Sequence, residues 1–296
     1  MHLAPHKQSS AVYHRRIGDI VVTCVSDGYL DAGLGALQNI DLDDAREIFA
    51  SKLRPARRAS VNCFVVHAFG RMALIDTGCG TYLKPTAGKL LENLAAAGVD
   101  PADIDSVLLT HIHPDHSSGL TRPETGRRVF GTAELIVHEQ ELKHWFDDEL
   151  MNATDEDERR YFFQYAREQV SPYLQCLKTF NNRTEVFPGI TSVPLPGHTP
   201  GHSGYLIDSG DDSLLIWGDL IHVPELQIER PEVTMSFDVD PLLAEKTRRD
   251  VFAEVAHSKR LVAGMHIDFP GFAHVIQQGE KFSLLPEVWS FSIEKR

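Results

Sequence analysis

The chain has 296 residues, 42% of them hydrophobic and 24% charged, a balance that suits a globular protein with ample apolar material for a core. Its 42 acidic residues against 29 basic ones give a formal net charge of −13, and Arg57–Arg58 and Arg127–Arg128 are isolated basic pairs, not parts of a run. Such a surface repels phosphate backbones, which argues against a nucleic-acid partner. No stretch approaches the roughly 20 apolar residues of a membrane span.

In chain order, residues 1–16 are polar and rich in His, Arg and Ser, and are expected to form an N-terminal arm ahead of a single domain over 17–296. The first ten residues hold no apolar core of a secretory signal. Cys24, Cys63, Cys79 and Cys176 form no C-x-x-C pair and read as buried thiols suited to a reducing compartment, so a cytoplasmic location is expected. Ile17–Val25 reads as a strand ended by an Asp27-Gly28 turn, and Val61–His67 and Met72–Asp76 as a hairpin around Phe69-Gly70-Arg71. Pro85–Ala97 has Leu90, Leu91, Leu94 and Ala95 on one helical face, with Gly98 placed to end it. Ser106–Thr110 and Leu135–Val137 read as strands, and the charged, aromatic stretch 138–180 as a helical insertion. Gly189–Pro194, Gly204–Asp208, Ser213–Trp217 and Arg260–Gly264 follow as strands, with a helix over Pro241–His257 whose apolar side carries Leu243, Thr247, Val251 and Val255. Helices alternating with hairpin-forming strands predict α/β layers.

The strongest chemical signal lies among the 15 histidines. Thr110-His-Ile-His-Pro-Asp-His116 places His111, His113, Asp115 and His116 directly after a strand. In an extended segment, His111 and His113 point to the same side and can reach one cation. If the chain turns at Pro114, Asp115 and His116 face a second. Burying so many titratable groups without a metal would be costly, and imidazole with carboxylate suits zinc and similar divalent ions. Later strand ends offer His198 and His202 in Pro196-Gly-His-Thr-Pro-Gly-His202, Asp219 after Leu214–Trp217, and His266 after Leu261–Gly264. Strand ends are where α/β sheets place their sites.

These residues resemble the metallo-β-lactamase superfamily: Asp76-Thr-Gly78, His111-x-His113-x-Asp115-His116, Gly197-His198, Gly218-Asp219 and His266 stand in that family's order over roughly residues 17–290. The resemblance implies an αββα sandwich of two mixed sheets with the site at one edge. It implies that His111, His113 and His198 bind a first ion, Asp115, His116 and His266 a second, and that Asp219 bridges both. Two divalent ions, zinc first and manganese, cobalt or iron as alternatives, would then supply a bridging hydroxide as nucleophile. Asp76 would orient a ligand histidine by accepting its other ring N–H, and His202 reads as a residue that fixes its loop. His113 stands where the family's di-iron oxidoreductases carry glutamate, so hydrolysis is favoured over redox chemistry.

Within the family the C-terminal half looks similar to methyl parathion hydrolases and lactonases, through Trp217–His222, Pro231–Asp238 and His266–Gly271. Tyr82, Trp145, Phe162 and Phe163 are the expected aromatic wall of the substrate pocket. Lactonases of the acyl-homoserine type commonly carry tyrosine three residues after the bridging aspartate; here that place is His222, which either donates a hydrogen bond to substrate or leaving alkoxide or shapes the pocket. Asp219, Asp115 and His222 are the candidate catalytic residues. The expected reaction is attack on a lactone or aryl ester carbonyl, with phosphotriester cleavage as a side activity. Alternatives are an organophosphate triesterase, a thioesterase, and a metal-binding sensor of the same fold without turnover. The insertion and the N-terminal arm are candidate surfaces for a homodimer.

Overall fold

The computed structural model describes residues 8–54, 57–83 and 85–293. Among these, two seven-stranded sheets follow one another along the chain. The first comprises β1 (Val12–Ile17), β2 (Ile20–Ala32), β3 (Arg57–Ala68), β4 (Arg71–Ile75), β5 (Ser106–Leu108), β6 (Glu134–His138) and β7 (Leu177–Phe180). Neighbours in the sheet are neighbours in sequence; β1 to β4 pair antiparallel, whereas β4 to β7 pair parallel across helical crossovers. The second sheet repeats the chain order with β8 (Glu185–Phe187), β9 (Ile190–Pro194), β10 (Ser203–Ser209), β11 (Asp212–Ile216), β12 (Leu261–Ala263), β13 (Phe272–Gln278) and β14 (Lys281–Pro286). Its one parallel pair, β11–β12, is joined by a crossover that contains the helix Pro241–Ser258.

Alternation along the strands explains the layering. In β3, Phe64 and Val66 enter the space between the sheets, where they meet Tyr205, Ile207, Leu214 and Ile216 of the second sheet. Val65 points the other way, into a cluster with Leu74, Val107, Leu135 and the helical residues Leu90, Leu94 and Val170. On the far side, Leu206, Leu215 and Val262 pack against Phe252 and Val255 of the long helix. Each fully buried side chain of this kind contributes about 1.5–3 kcal/mol, so strands covered on both faces are apolar throughout, without a polar alternation. The result is the expected αββα sandwich.

Several local expectations change. Val12–Ile17 is an edge strand instead of part of a loose arm, because its residues pair with Ile20–Val25; residues 1–7 lie outside the described residues. Asp27-Gly28 does not end β2 but forms a bulge within it, with Gly28 at φ 120°. The bulge aims the buried Asp27 carboxylate at the N–H groups of Cys79, Gly88 and Leu90. Those bonds hold residues 85–89 out of helical form, so the helix runs only from Leu90 to Ala96, and Leu91 faces outward. The hairpin forms with Phe69 and Gly70 both at positive φ, 51° and 76°. The 138–180 stretch holds the helices Glu139–Trp145, Asp148–Ala153 and Tyr165–Val170 and a π-helical turn at Arg159–Gln164, then closes the sheet with β7. In the long helix the buried row is Ala244, Arg248, Phe252 and Val255, displaced from the row read in the sequence because Arg248 turns inward. Its guanidinium donates to the carbonyls of Leu220, Pro231 and Val233. No described helix is long and apolar enough to cross a membrane.

Candidate metal centre

Four strand ends on one edge of the sandwich supply the site. Beyond β5 the chain stays extended through His113, whose ψ is 156°, then enters a helical turn at Pro114–Ser117. Proline suits the first position of that turn because no N–H is needed there. His111 and His113 therefore project together, and the turn carries Asp115 and His116 to one side. His198 follows β9, Asp219 follows β11 and His266 follows β12.

The donor atoms of His111, His113 and His198 lie within 4.8 Å of one another, and so do those of Asp115, His116, Asp219 and His266. His198 Nε2 stands 2.9 Å from His113 Nδ1 and 3.2 Å from His111 Nε2. Asp219 Oδ2 is 3.1 Å from His116 Nε2 and 3.2 Å from His266 Nε2, yet also 3.5 Å from His198 Nε2 and 3.7 Å from His111 Nε2. It thus sits between the two groups.

The opposite ring nitrogens are tied down. His116 Nδ1 donates to Asp76 Oδ2 at 2.7 Å, His198 Nδ1 to Asp238 Oδ1 at 2.7 Å, and His266 Nδ1 to the Ser60 carbonyl at 2.8 Å. These bonds put the proton on Nδ1 and leave the Nε2 lone pair directed inward. Asp76 also accepts from the Thr110 amide and hydroxyl, both at 2.8 Å, which fixes the entry to the histidine motif. His116 Nε2 and Asp219 Oδ1 are buried without a hydrogen-bond partner. Converging lone pairs, orphaned buried atoms and an N/O donor set fit two adjacent divalent cations.

Electrostatics agree with that fit at His111, His113 and Asp219, while the Asp219 and Asp115 carboxylates outweigh burial and raise His116 and His266, drawing to them the positive charge that a cation would supply. Burial pushes His111 and His113 well below the usual imidazole range, so both are neutral and able to ligate. Burial would raise Asp219, but the His116, His266, His222 and His111 imidazoles outweigh it and hold the carboxyl well below its usual range. The same balance, led by the His198 hydrogen bond, lowers Asp238 to about 2.

All seven sequence-derived ligand candidates converge, and Asp76 stands where expected. His202 lies outside both donor groups: it donates from Nδ1 to the Leu195 carbonyl at 2.7 Å and accepts the Asp219 N–H on Nε2 at 2.8 Å, fixing two loops at once. His222 is buried with Nε2 3.0 Å from Asp219 Oδ2 and its ring stacked on His266. Neither His222 ring nitrogen has a hydrogen bond, and burial lowers its pKa to about 4 against the pull of Asp219.

The substrate wall differs from the expectation. A cleft of about 290 Å³ opens on Asp115, Asp219, His222 and His266. Phe162 lines it, tilted against His113 with ring centroids 4.9 Å apart. Phe163, its neighbour on the helical turn, points to the opposite side and packs in the core against Trp145. Trp145 is buried behind His113, edge-on at 5.3 Å, and supports that imidazole without lining the cleft. Tyr82 is also off the cleft: its hydroxyl accepts from Gln169 Nε2 at 2.9 Å and its ring packs on Tyr165. The wall is completed by Tyr161, Phe237, Leu83 and Leu30, which sequence reading missed. Phe237 belongs to the Pro231–Asp238 motif, and that was the available signal.

Two acidic residues were also missed. Asp238 holds His198, as above. Glu141 is fully buried and accepts from the Ile112 N–H at 2.9 Å, the Trp145 indole at 2.9 Å, the Gly201 N–H at 2.9 Å and the Thr199 hydroxyl. One carboxylate thus clamps the His111–His113 segment to the His198 loop.

Gly197 precedes His198 at φ 131°, and a Cβ there would run into the Ala244 backbone of the long helix. Gly197→Ala is expected to lower stability by about 2 kcal/mol or more through strain and overlap, read by thermal unfolding. A transition unchanged from the parent would show the loop to be free of that contact.

Residues 56–256 match the sequence profile of the Metallo-beta-lactamase superfamily. The N-acyl homoserine lactonase AttM of Azorhizobium caulinodans is 29% identical over 137 residues, 45% of this chain and 42% of AttM, so the shared stretch spans about two fifths of that relative. The crystal structure of hydrolase AbOPH, described as in the beta lactamase superfamily, superposes with a TM-score of 0.90 at 28% identity, covering 96% of this chain and 100% of that one. AidC, a dizinc quorum-quenching lactonase solved with N-hexanoyl-L-homoserine product, shares the fold at a TM-score of 0.88 and 22% identity over 95% of this chain and 99% of its own. With the profile spanning most of the sequence and the αββα layers and converging strand ends in place, this chain belongs to the metallo-β-lactamase superfamily.

Proposed function

We propose that this protein hydrolyses lactones, and aryl esters of similar shape, at a centre of two divalent cations, zinc in the first instance. The observation that carries the reading is Asp219 Oδ2 standing between two donor groups at the floor of an aromatic and aliphatic cleft. When bound, such a cation pair lowers the pKa of water toward neutrality and polarises a carbonyl oxygen. His111, His113 and His198 would hold one cation, Asp115, His116 and His266 the other, and Asp219 both.

The chain's own groups do the remaining work. Asp76 and Asp238 keep His116 and His198 in the tautomer that presents Nε2. His222, whose Nε2 stands 3.0 Å from Asp219 Oδ2, would offer its ring N–H to the carbonyl oxygen or the departing alkoxide. Phe162, Tyr161 and Phe237 cover the acyl or aryl part of the substrate and keep water from the rest of the cleft. The lactonase names of AttM and AidC support this substrate class. Phosphotriester cleavage is the side reaction proposed for the same centre.

Purified protein is expected to carry two equivalents of divalent metal and to open dihydrocoumarin-type lactones or cleave nitrophenyl esters. Chelation should abolish turnover and added cation should restore it. Metal-loaded protein that turns over neither class would overturn the proposal.

A further inference from the structure

Asp27 is a fully buried carboxylate at the bulge in β2, and the chemistry proposed above makes no use of it. Burial pushes its carboxyl up, and the N–H groups around it pull the other way. Taking such a group out of water is costly unless its hydrogen bonds are met. Here they all go to one short stretch of chain. Oδ2 accepts from the N–H of Cys79 at 2.8 Å and of Gly88 at 3.1 Å, and Oδ1 from that of Leu90 at 2.8 Å. The Asp27 carbonyl takes the Lys89 N–H at 2.9 Å. One residue thus closes the excursion between Cys79 and Gly88 at both ends.

The near end of that excursion is pressed against the helical turn Pro114–Ser117, which carries Asp115 and His116. Thr77 donates its N–H at 2.7 Å and its hydroxyl at 2.9 Å to the His116 carbonyl. The Gly78 carbonyl accepts the Gly119 N–H at 3.3 Å. A Cβ on Gly78 would overlap the Asp27 carboxyl, one on Gly80 the Ser118 carbonyl, and one on Gly119 the Thr77 carbonyl. Carboxylate, segment 77–80 and ligand-bearing turn are therefore in backbone contact, with no room for a methyl group between them. Asp76 is fixed separately, by its own N–H to the Leu108 carbonyl at 3.0 Å, so the reach of Asp27 begins at Thr77. The other half of the histidine motif is held by Glu141 at the Ile112 N–H. Two buried carboxylates outside the candidate ligand set thus stand behind the motif, one for each half.

We infer that Asp27 is a positioning residue for the cation assigned to Asp115, His116 and His266: it fixes residues 77–80, and these seat the helical turn that bears two of those donors. The inference rests on the two-cation reading of the centre and is independent of the substrate.

The test is a chelator competition on the full chain that reads the two cations as separate steps. It compares wild type, Asp27→Asn, Thr77→Val and a control, Val255→Ala, whose cavity lies under the long helix on the outer side of the second sheet. In Asp27→Asn an NH2 replaces one acceptor and meets an N–H, so at least one anchor is lost. One step is expected to weaken about tenfold or more and the other by less than about threefold. The weakened step should be the one that Glu141→Gln leaves intact. Thr77→Val removes only the hydroxyl bond to the His116 carbonyl and should weaken that same step about threefold. It carries the test if Asp27→Asn does not fold. Val255→Ala should lower the melting temperature without changing the ratio of the two affinities. Parallel weakening of both steps, no change in either, or loss at the step that Glu141→Gln weakens would overturn the inference. Wild-type protein that takes up cation in a single step overturns the two-cation reading and the inference with it, a failure visible before any variant is compared.

Discussion

Replacing Asp219 with alanine is expected to lower kcat/KM for any lactone or ester by roughly a thousandfold or more, the scale of losing a group that acts directly at the reacting centre. Asp219 Oδ2 lies 3.0–3.2 Å from His222, His116 and His266, and among the described residues no other carboxylate reaches both donor groups. Metal content should fall from two equivalents toward one or none, because the side chain left behind offers no oxygen. Asp219→Asn separates charge from shape. It keeps the volume but removes the negative charge that sits among five imidazoles, and is expected to lose nearly as much. The fold should survive both changes, since the surrounding sheets are held by apolar burial remote from this edge. Either variant retaining two cations and activity within about tenfold of wild type would refute the role.

The second large effect belongs to Glu141. Glu141→Gln turns one acceptor oxygen into a donor NH2 in a buried place where four donors already point inward. At least one N–H or O–H loses its partner, at about 1–3 kcal/mol each. The melting temperature should therefore drop by roughly 5 °C or more. The effect on metal should be lopsided. Glu141 bonds the backbone between His111 and His113 and the loop after His198, whereas nothing ties it to Asp115, His116 or His266. Affinity at the three-histidine group is expected to weaken roughly 10–100-fold, the range for losing a supporting hydrogen bond around ligands. The other group should hold its cation. Competition with a chromophoric chelator, read as two separate steps, decides the matter; parallel weakening of both steps would reduce Glu141 to a general structural role.

The candidate ligands were legible in the sequence because their spacing is local or their position is punctuated. His111 to His116 lie within one turn of chain after a strand, and His198, Asp219 and His266 each close an apolar run. Glu141 was not legible for the opposite reason. In Glu139-Gln-Glu-Leu-Lys143 it looks like one more solvated charge on a surface helix, and only the packing of three distant segments turns it inward. The aromatic wall failed on helical geometry. Adjacent rings at Phe162 and Phe163 leave the π-helical turn in different directions, so one faces the cleft and the other the core, and composition cannot say which. Asp27-Gly28 carries the same lesson for strands: a pair that ordinarily marks a turn is here a kink in a continuous strand, because its carboxylate is needed by amides some fifty residues later.

Because each sheet is completed before the next begins, residues 181–184 are the single covalent link between a half that owns His111, His113, Asp115 and His116 and a half that owns His198, Asp219 and His266. Each proposed cation would therefore draw its ligands from both halves, and neither half alone could assemble a complete set. Metal occupancy then becomes a gauge of how the halves are seated against each other. Slippage between them of even an ångström would spoil coordination well before it exposed much apolar surface, so the centre would go silent ahead of any general unfolding.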